Sequence, residues 1–300
     1  MWPDIHVAGW SATKHSLHMY AQMLGKVRLA LSPPQPNWMF TPLYLNGRGF
    51  TTGFIPWELS SFEASLDVFD STISIARSEG ERREVALLPV RTVAEVYADV
   101  SSALRALHVD CYISPIPQEV PDRTPLDQDR RPSEYDPAAV RRWFAAYTAT
   151  AGIFDTWRSC FFGRSGVQLW WGAFDVALLL FNGKAVKPPA DRGYLMRYDL
   201  DAELMNVGLY LGDETTAPFF YGYIHPEPKG AASLPIEPKD ASWSAQLHEW
   251  VLPYEAVRSA SDPQAEIVTF IKAIYAQCFA AAGWNRAALT YAAPKRLPRS

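Results

Sequence analysis

The chain has 300 residues, 48% hydrophobic and 20% charged, with a formal net charge of -4. That balance describes a globule of one large domain or two intimate ones, with ample apolar material for a core. It excludes a basic nucleic-acid footprint, and no apolar run reaches the roughly 20 uncharged residues of a membrane helix. Cys111, Cys160 and Cys278 are odd in number, widely spaced and form no CxxC motif. They point to a reducing cytoplasm, and the N-terminus lacks the basic-then-apolar pattern of an export signal. The aromatic content is high, with 11 Trp, 14 Tyr and 15 Phe. These rings serve as core or line a pocket for an apolar ligand.

Residues 1–10 read as an arm that docks by its tryptophans. Ser11 or Thr13 is placed to cap a helix running to about Arg28, with Leu17, Tyr20, Ala21 and Leu24 at helical spacing. Met19, Met23 and Val27 widen its apolar face and leave a polar stripe of His18, Gln22 and Lys26, four residues apart. Those side chains stack along the helix, as a solvated edge or as a polar ridge facing a cavity. Ser32-Pro33-Pro34 breaks the helix.

Antiparallel strands are expected over 38–45, 50–57, 62–69, 72–76 and 84–88, separated by turn residues such as Asn46-Gly47 and Glu79-Gly80. An amphipathic helix over 92–107 and a short strand over 111–116 follow. Residues 117–137 are rich in Pro, Asp and Arg and read as a connector laid over the surface. Asp136 with Pro137 starts a second long helix, to about Phe162.

Residues 163–183, GRSGVQLWWGAFDVALLLFNG, are the stretch around which the rest is organised. Both strand faces of 167–181 are apolar, which implies one long central strand covered on both sides, bent at Gly172 and closed by an Asn182-Gly183 turn. Strands over 207–211, 219–225 and 249–253 come next, then a helix over 263–282 and a basic tail.

The fold class expected is α+β, with two similar helix–antiparallel sheet–helix halves packed about a pseudo-twofold seam. Residues 11–116 form one half and 138–288 the other, joined by the connector 117–137 and followed by the tail 289–300. Leu45-Asn46-Gly47-Arg48 parallels Phe181-Asn182-Gly183-Lys184, and Leu87-Leu88-Pro89-Val90 parallels Val251-Leu252-Pro253-Tyr254. If the duplication holds, the seam is the place for a ligand.

The stretches LHMYAQMLGKVRLALSPP, PLYLNGRGFTT, FFGRSGVQLWWGAFDVALLLFNGK, YIHPEP and WVLPYEAVRSASDP resemble the domain-of-unknown-function 5996 family over almost the whole chain. The resemblance implies kinship of fold and carries no activity. The family's usual pattern has histidines at the positions of Asn37, Phe40, Gln168 and Ala202 here, none of which is histidine. His18, Gln22, Lys26, Arg28, Trp38, Asp175, Glu203 and the His225-Pro226-Glu227-Pro228 run match it. The resemblance therefore implies a divergent member without the histidines a metal would use.

No Gly-rich phosphate loop, HExxH or GxSxG motif is present. Asp175 is the sharpest chemical signal, because a carboxylate in an apolar strand must be paired, hydrogen-bonded or protonated. It is either a structural ion pair with Lys26 or Arg28, or an acid-base group of raised pKa in an aromatic cavity. The expected activity is that of a cytoplasmic enzyme without metal or other cofactor, acting on a small, largely apolar molecule by cyclisation, isomerisation or elimination. Asp175, His18 and Lys26 are the candidate catalytic residues. Gln22, Trp38, Gln168, Trp170, Trp171 and Glu203 are the candidate substrate contacts. The competing readings are a metal-dependent oxygenase or hydrolase built on His225, Glu227, Glu203 and His18, and a non-catalytic binding protein. The expected partners are a small molecule and, as an option, a second copy of the chain, with neither nucleic acid nor membrane.

Overall fold

The computed structural model describes residues 2–132, 134–188, 190 and 194–290. Helix α1 (Ser11–Leu31) ends where Ser32 and the following prolines forbid another turn. Neither Ser11 nor Thr13 caps it. Thr13 is otherwise engaged: its hydroxyl donates to the carbonyl of Glu134 and accepts from the Asp136 N–H at 3.0 Å. The N-terminal arm does dock by tryptophan, Trp2 meeting Phe220 and Tyr254 edge-on.

The strands are β1 (Leu43–Asn46), β2 (Gly49–Thr51), β3 (Ile55–Trp57), β4 (Ser60–Asp67), β5 (Thr72–Arg77) and β6 (Arg82–Ala86). Two expected strands are corrected here. Residues 36–38 form a short 3-10 turn, with Asn37 and Trp38 at positive φ, so the first strand begins only at Leu43. The stretch 50–57 is broken in two at Gly53, whose φ of 61 no ladder accommodates. Helix α2 (Val93–Ala106) carries the capping box of Thr92 and Glu95. Residues 111–116 form no strand, because their carbonyls serve side chains instead: Tyr97 donates to Ile113 and Lys26 to Ile116.

Helix α3 (Pro137–Trp157) starts at the expected Asp136 cap, ends five residues earlier than expected and buries Val140, Trp143, Phe144, Tyr147 and Phe154. The organising stretch is not one bent strand. It is a hairpin, β7 (Gln168–Trp170) and β8 (Asp175–Ala185), with Trp170 facing Asp175 across the turn. An apolar turn is tolerable because its main-chain carbonyls are satisfied from within. His18 Nε2–H donates to Trp171 at 2.8 Å and to Gly172 at 3.0 Å, and the Tyr147 hydroxyl donates to Phe174. Nor does Asn182-Gly183 end the strand; β8 runs on through a bulge, with the register shifting between Phe181 and Ala185.

Helix α4 (Tyr194–Asp199), strands β9 (Ala202–Tyr210), β10 (Phe219–His225), β11 (Ser242–Ser244) and β12 (Glu249–Pro253), and helices α5 (Tyr254–Ser259), α6 (Pro263–Ala280) and α7 (Arg286–Leu289) complete the chain. The fold is α+β, and every described ladder is antiparallel. One sheet runs in the order β11-β12-β10-β9-β8-β7-β1-β2-β4-β5-β6, with β3 on β4. The two halves therefore meet through a ladder, Leu43 opposite Leu169 and Tyr44 opposite Gln168, and share one sheet. The connector is not merely a surface strap, since Leu126 and Asp129 within it are buried. Of the expected tail 289–300, Leu289 ends α7 and Thr290 forms a bridge with Phe161, and the remainder lies outside the described residues. Among those described, no helix is long and apolar enough to cross a membrane.

Candidate active site

Strand parity decides which side chains meet. The ladder pairs Trp170 with Asp175, Leu179 with Asn206, and Gly208 with Tyr221, so these side chains project from one face of the sheet. Leu29 from α1, Trp38 and Thr41 from the segment after it, Gln118 and Glu119 from the connector, and Asp199 from α4 close over that face. They enclose a cavity of about 350 Å³, a size typical of small-molecule sites.

Asp175 lies on the cavity floor, 6% exposed. One oxygen accepts a hydrogen bond from the Tyr221 hydroxyl. Burial pushes its pKa up to about 7, opposed by the Tyr221 hydrogen bond and reinforced by the charge of Glu119. No lysine or arginine among the described residues pairs with it, which overturns the expected ion pair. Lys26 donates to the carbonyl of Ile116 at 2.7 Å, and Arg28 bonds the Thr52 carbonyl and stacks on Tyr44.

Two further carboxylates line the cavity. Glu119 stands at its mouth, with part of its side chain in solvent, and the protein around it raises its pKa. Asp199 is pushed up to about 6, first by burial and then by Glu119 and Asp201. Behind Tyr221, burial and the nearby charge of Asp175 bring Glu249 to about 7. The aromatic walls are set by glycines. Gly25 on α1 leaves room for the Trp171 indole, whose Nε1–H donates to the Thr41 carbonyl at 2.9 Å. Trp170 Nε1 and Asn206 Oδ1 are buried and have no hydrogen-bond partner among the described residues.

Of the sequence-predicted residues, Asp175, Trp38, Trp170 and Trp171 come together around the cavity. His18, Gln22 and Lys26 do not line it. They are buried, which excludes the solvated-edge reading, and they hold its walls from behind. His18 fixes the 171–172 turn, Gln22 both donates to and accepts from the main chain of Gln118, and Lys26 anchors Ile116. Burial drives the His18 pKa down to about 4 and that of Lys26 down to about 8. Gln168 is buried on β7 away from the cavity lining, and Glu203 accepts from Asn182 near the β8 bulge. Glu119, Asp199, Asn206 and Tyr221 were not expected from the sequence. Glu119 and Asp199 lie in loop and short-helix segments whose approach only tertiary structure sets; Tyr221 was visible only as one ring in a strand.

The residues of the metal-dependent reading are dispersed. His225 Nε2 is 3.1 Å from the Leu200 carbonyl, Glu227 pairs with His248 at 2.9 Å, and His18 is held by the turn. Among the described residues no group of three His, Cys, Asp or Glu side chains is placed to hold a metal ion.

The model of a family of unknown function, DUF5996, matches residues 2–291. No curated protein and no solved structure matches the chain.

Proposed function

We propose that this chain, which belongs to the family of unknown function DUF5996, is a cytoplasmic, cofactor-independent enzyme whose aromatic pocket holds a small, largely apolar molecule while Asp175 moves a proton. The observation that carries the reading is a buried carboxyl on the floor of a small-molecule cavity, with no lysine or arginine paired to it among the described residues and its pKa pushed up by burial to about 7. A group poised there serves equally as acid and base. Isomerisation is the simplest reaction it balances unaided: a proton leaves one atom of the substrate for Asp175 and returns to another, with nothing else consumed. Cyclisation and elimination in a biosynthetic pathway use the same step. Trp38, Trp170 and Trp171 restrict the ligand's conformers and exclude water.

Internal duplication belongs to the same proposal. Outward from the β1–β7 pair the strands run β1-β2-β4-β5-β6 on one side and β7-β8-β9-β10-β12-β11 on the other, in chain order except that β3 lies off the path on β4 and β12 lies inside β11, and each half ends in a helix. Leu87-Leu88-Pro89-Val90 and Val251-Leu252-Pro253-Tyr254 stand at corresponding places, at the ends of β6 and β12. The Asn-Gly pair does not, since Asn46 ends β1 while Asn182 lies in β8.

The Tyr221 hydrogen bond favours a second reading, a binding protein in which Asp175 orients a ligand without transferring a proton. Incubating a small-molecule extract with the purified protein in D2O separates the two. The enzyme reading expects a metabolite that gains deuterium or changes retention with wild type and not with Asp175→Asn. Equal conversion by both proteins contradicts a proton-transferring role; saturable binding without conversion supports the second reading.

A further inference from the structure

Resting on the small-molecule reading of this pocket, a narrower statement about its ligand follows from charge. Three carboxylates, Asp175, Glu119 and Asp199, converge on one cavity from three separate segments of the chain. Among the described residues none of the three forms an ion pair with a lysine or arginine, although ten such pairs occur elsewhere. Lys26 lies behind the Trp171 ring with its ammonium on the Ile116 carbonyl. The unpartnered Asn206 Oδ1 adds one more acceptor to the lining. Like charges gathered in a low-dielectric cleft repel one another and are costly to keep unless something of opposite sign enters.

The other half of the lining is indole and phenol. Ring faces carry negative potential and attract cations, most strongly those that have shed water, and tryptophan is the best of them. A site with acceptors and aromatic faces, and no side chain of positive charge among the described residues of its lining, is complementary to a positive ligand.

We propose that the pocket's ligand is an organic cation, a protonated or quaternary amine on an apolar body, with its charged nitrogen directed to Asp175 and its body against Trp38, Trp170 and Trp171. A metal ion does not fit, because the carboxylates are not grouped closely enough to chelate one. A nucleotide or other anion is repelled by the same charges.

Three probes of one shape test this by calorimetric titration of the full chain at pH 8: phenethylamine as cation, 2-phenylethanol as neutral counterpart and 3-phenylpropionate as anion. Phenethylamine is expected to bind at least tenfold more tightly than 2-phenylethanol, with no detectable binding of 3-phenylpropionate. Asp175→Asn is expected to remove most of that preference. Glu119→Gln, at the solvent-facing mouth where folding is not at risk, is expected to weaken the amine several-fold and leave the alcohol within twofold. Binding of the alcohol or the acid as tightly as the amine overturns the cation inference and leaves the small-molecule pocket standing. Failure of all three probes to bind overturns both.

Discussion

Tyr221 reaches across a neighbouring strand to give its hydroxyl hydrogen to Asp175, and the strand it crosses carries Gly208 at the point of passage. A methyl group there collides with the phenol ring. Gly208→Ala should therefore push Tyr221 off Asp175 and destabilise the fold by about 1–3 kcal/mol, as overpacked sites do. Urea unfolding measures the loss. Tyr221→Phe keeps the ring and deletes the hydroxyl, so it should move Asp175 further up from about 7, because that hydrogen bond holds its pKa down.

The pH dependence of Asp175→Asn has a definite sign. The folded protein holds the Asp175 proton until about pH 7, against an ordinary value of 3.8. Ionisation thus opposes folding, by nothing below pH 4 and by the full amount above pH 7, on the order of 4 kcal/mol at about 1.4 kcal/mol per pKa unit. Asparagine carries no such penalty and still accepts from Tyr221. The variant should melt above wild type at pH 8 and close to it at pH 4. A variant less stable than wild type at pH 8 would mean that a cation neutralises Asp175 after all.

Trp171 sits at the apolar turn, against the Gly25 backbone and with its indole N–H on Thr41. Trp171→Ala should cost about 3–5 kcal/mol through lost packing. Gly25→Ala is the sharper test, because its methyl occupies the space of the indole. It should reshape the cavity wall and weaken any pocket ligand even where the protein stays folded. Ligand affinity equal to wild type in Gly25→Ala would show that the Trp171 wall takes no part in binding.

His18 is neutral in the fold, its pKa lowered from 6.5 to about 4 by burial. The unfolded chain therefore takes up that proton first as pH falls, and stability drains away between pH 6.5 and 4. His18→Gln should remove that portion of the acid loss. Melting temperatures of the two proteins at pH 6.5, 5.5 and 4.5 give the comparison, and parallel slopes would exclude His18 as the source.

Local signals in the sequence carry the element boundaries. Asp136-Pro137 placed the start of α3, and the periodicities of β10, β12 and α6 placed those elements within a residue or two. In the organising stretch Gly172 marks a bend but nothing local distinguishes a bend from a full reversal, because the turn from Trp171 to Phe174 is otherwise apolar and its carbonyls are satisfied by His18 and Tyr147, which lie far away in the chain. Four of the thirteen described residues that line the pocket are legible in the sequence and the others are not. Asp175 stands out against apolar neighbours within its own strand, whereas Glu119 and Asp199 are ordinary loop and helix acids until the chain folds them toward it. The stripe of His18, Gln22 and Lys26 stands out in the sequence, yet helical spacing alone does not distinguish a ridge facing a cavity from one bracing its wall.

The central claim is that Asp175 is a desolvated acid at neutral pH. Carbon-13 shifts of aspartate side-chain carboxyls, followed from pH 4 to 9 and assigned to Asp175 by its absence from Asp175→Asn, measure this directly. The account predicts a midpoint near 7. A shift already at its ionised limit by about pH 5 and flat above it, as an ordinary carboxyl of pKa 3.8 gives, would contradict it, for the group would then have no proton to give at neutral pH.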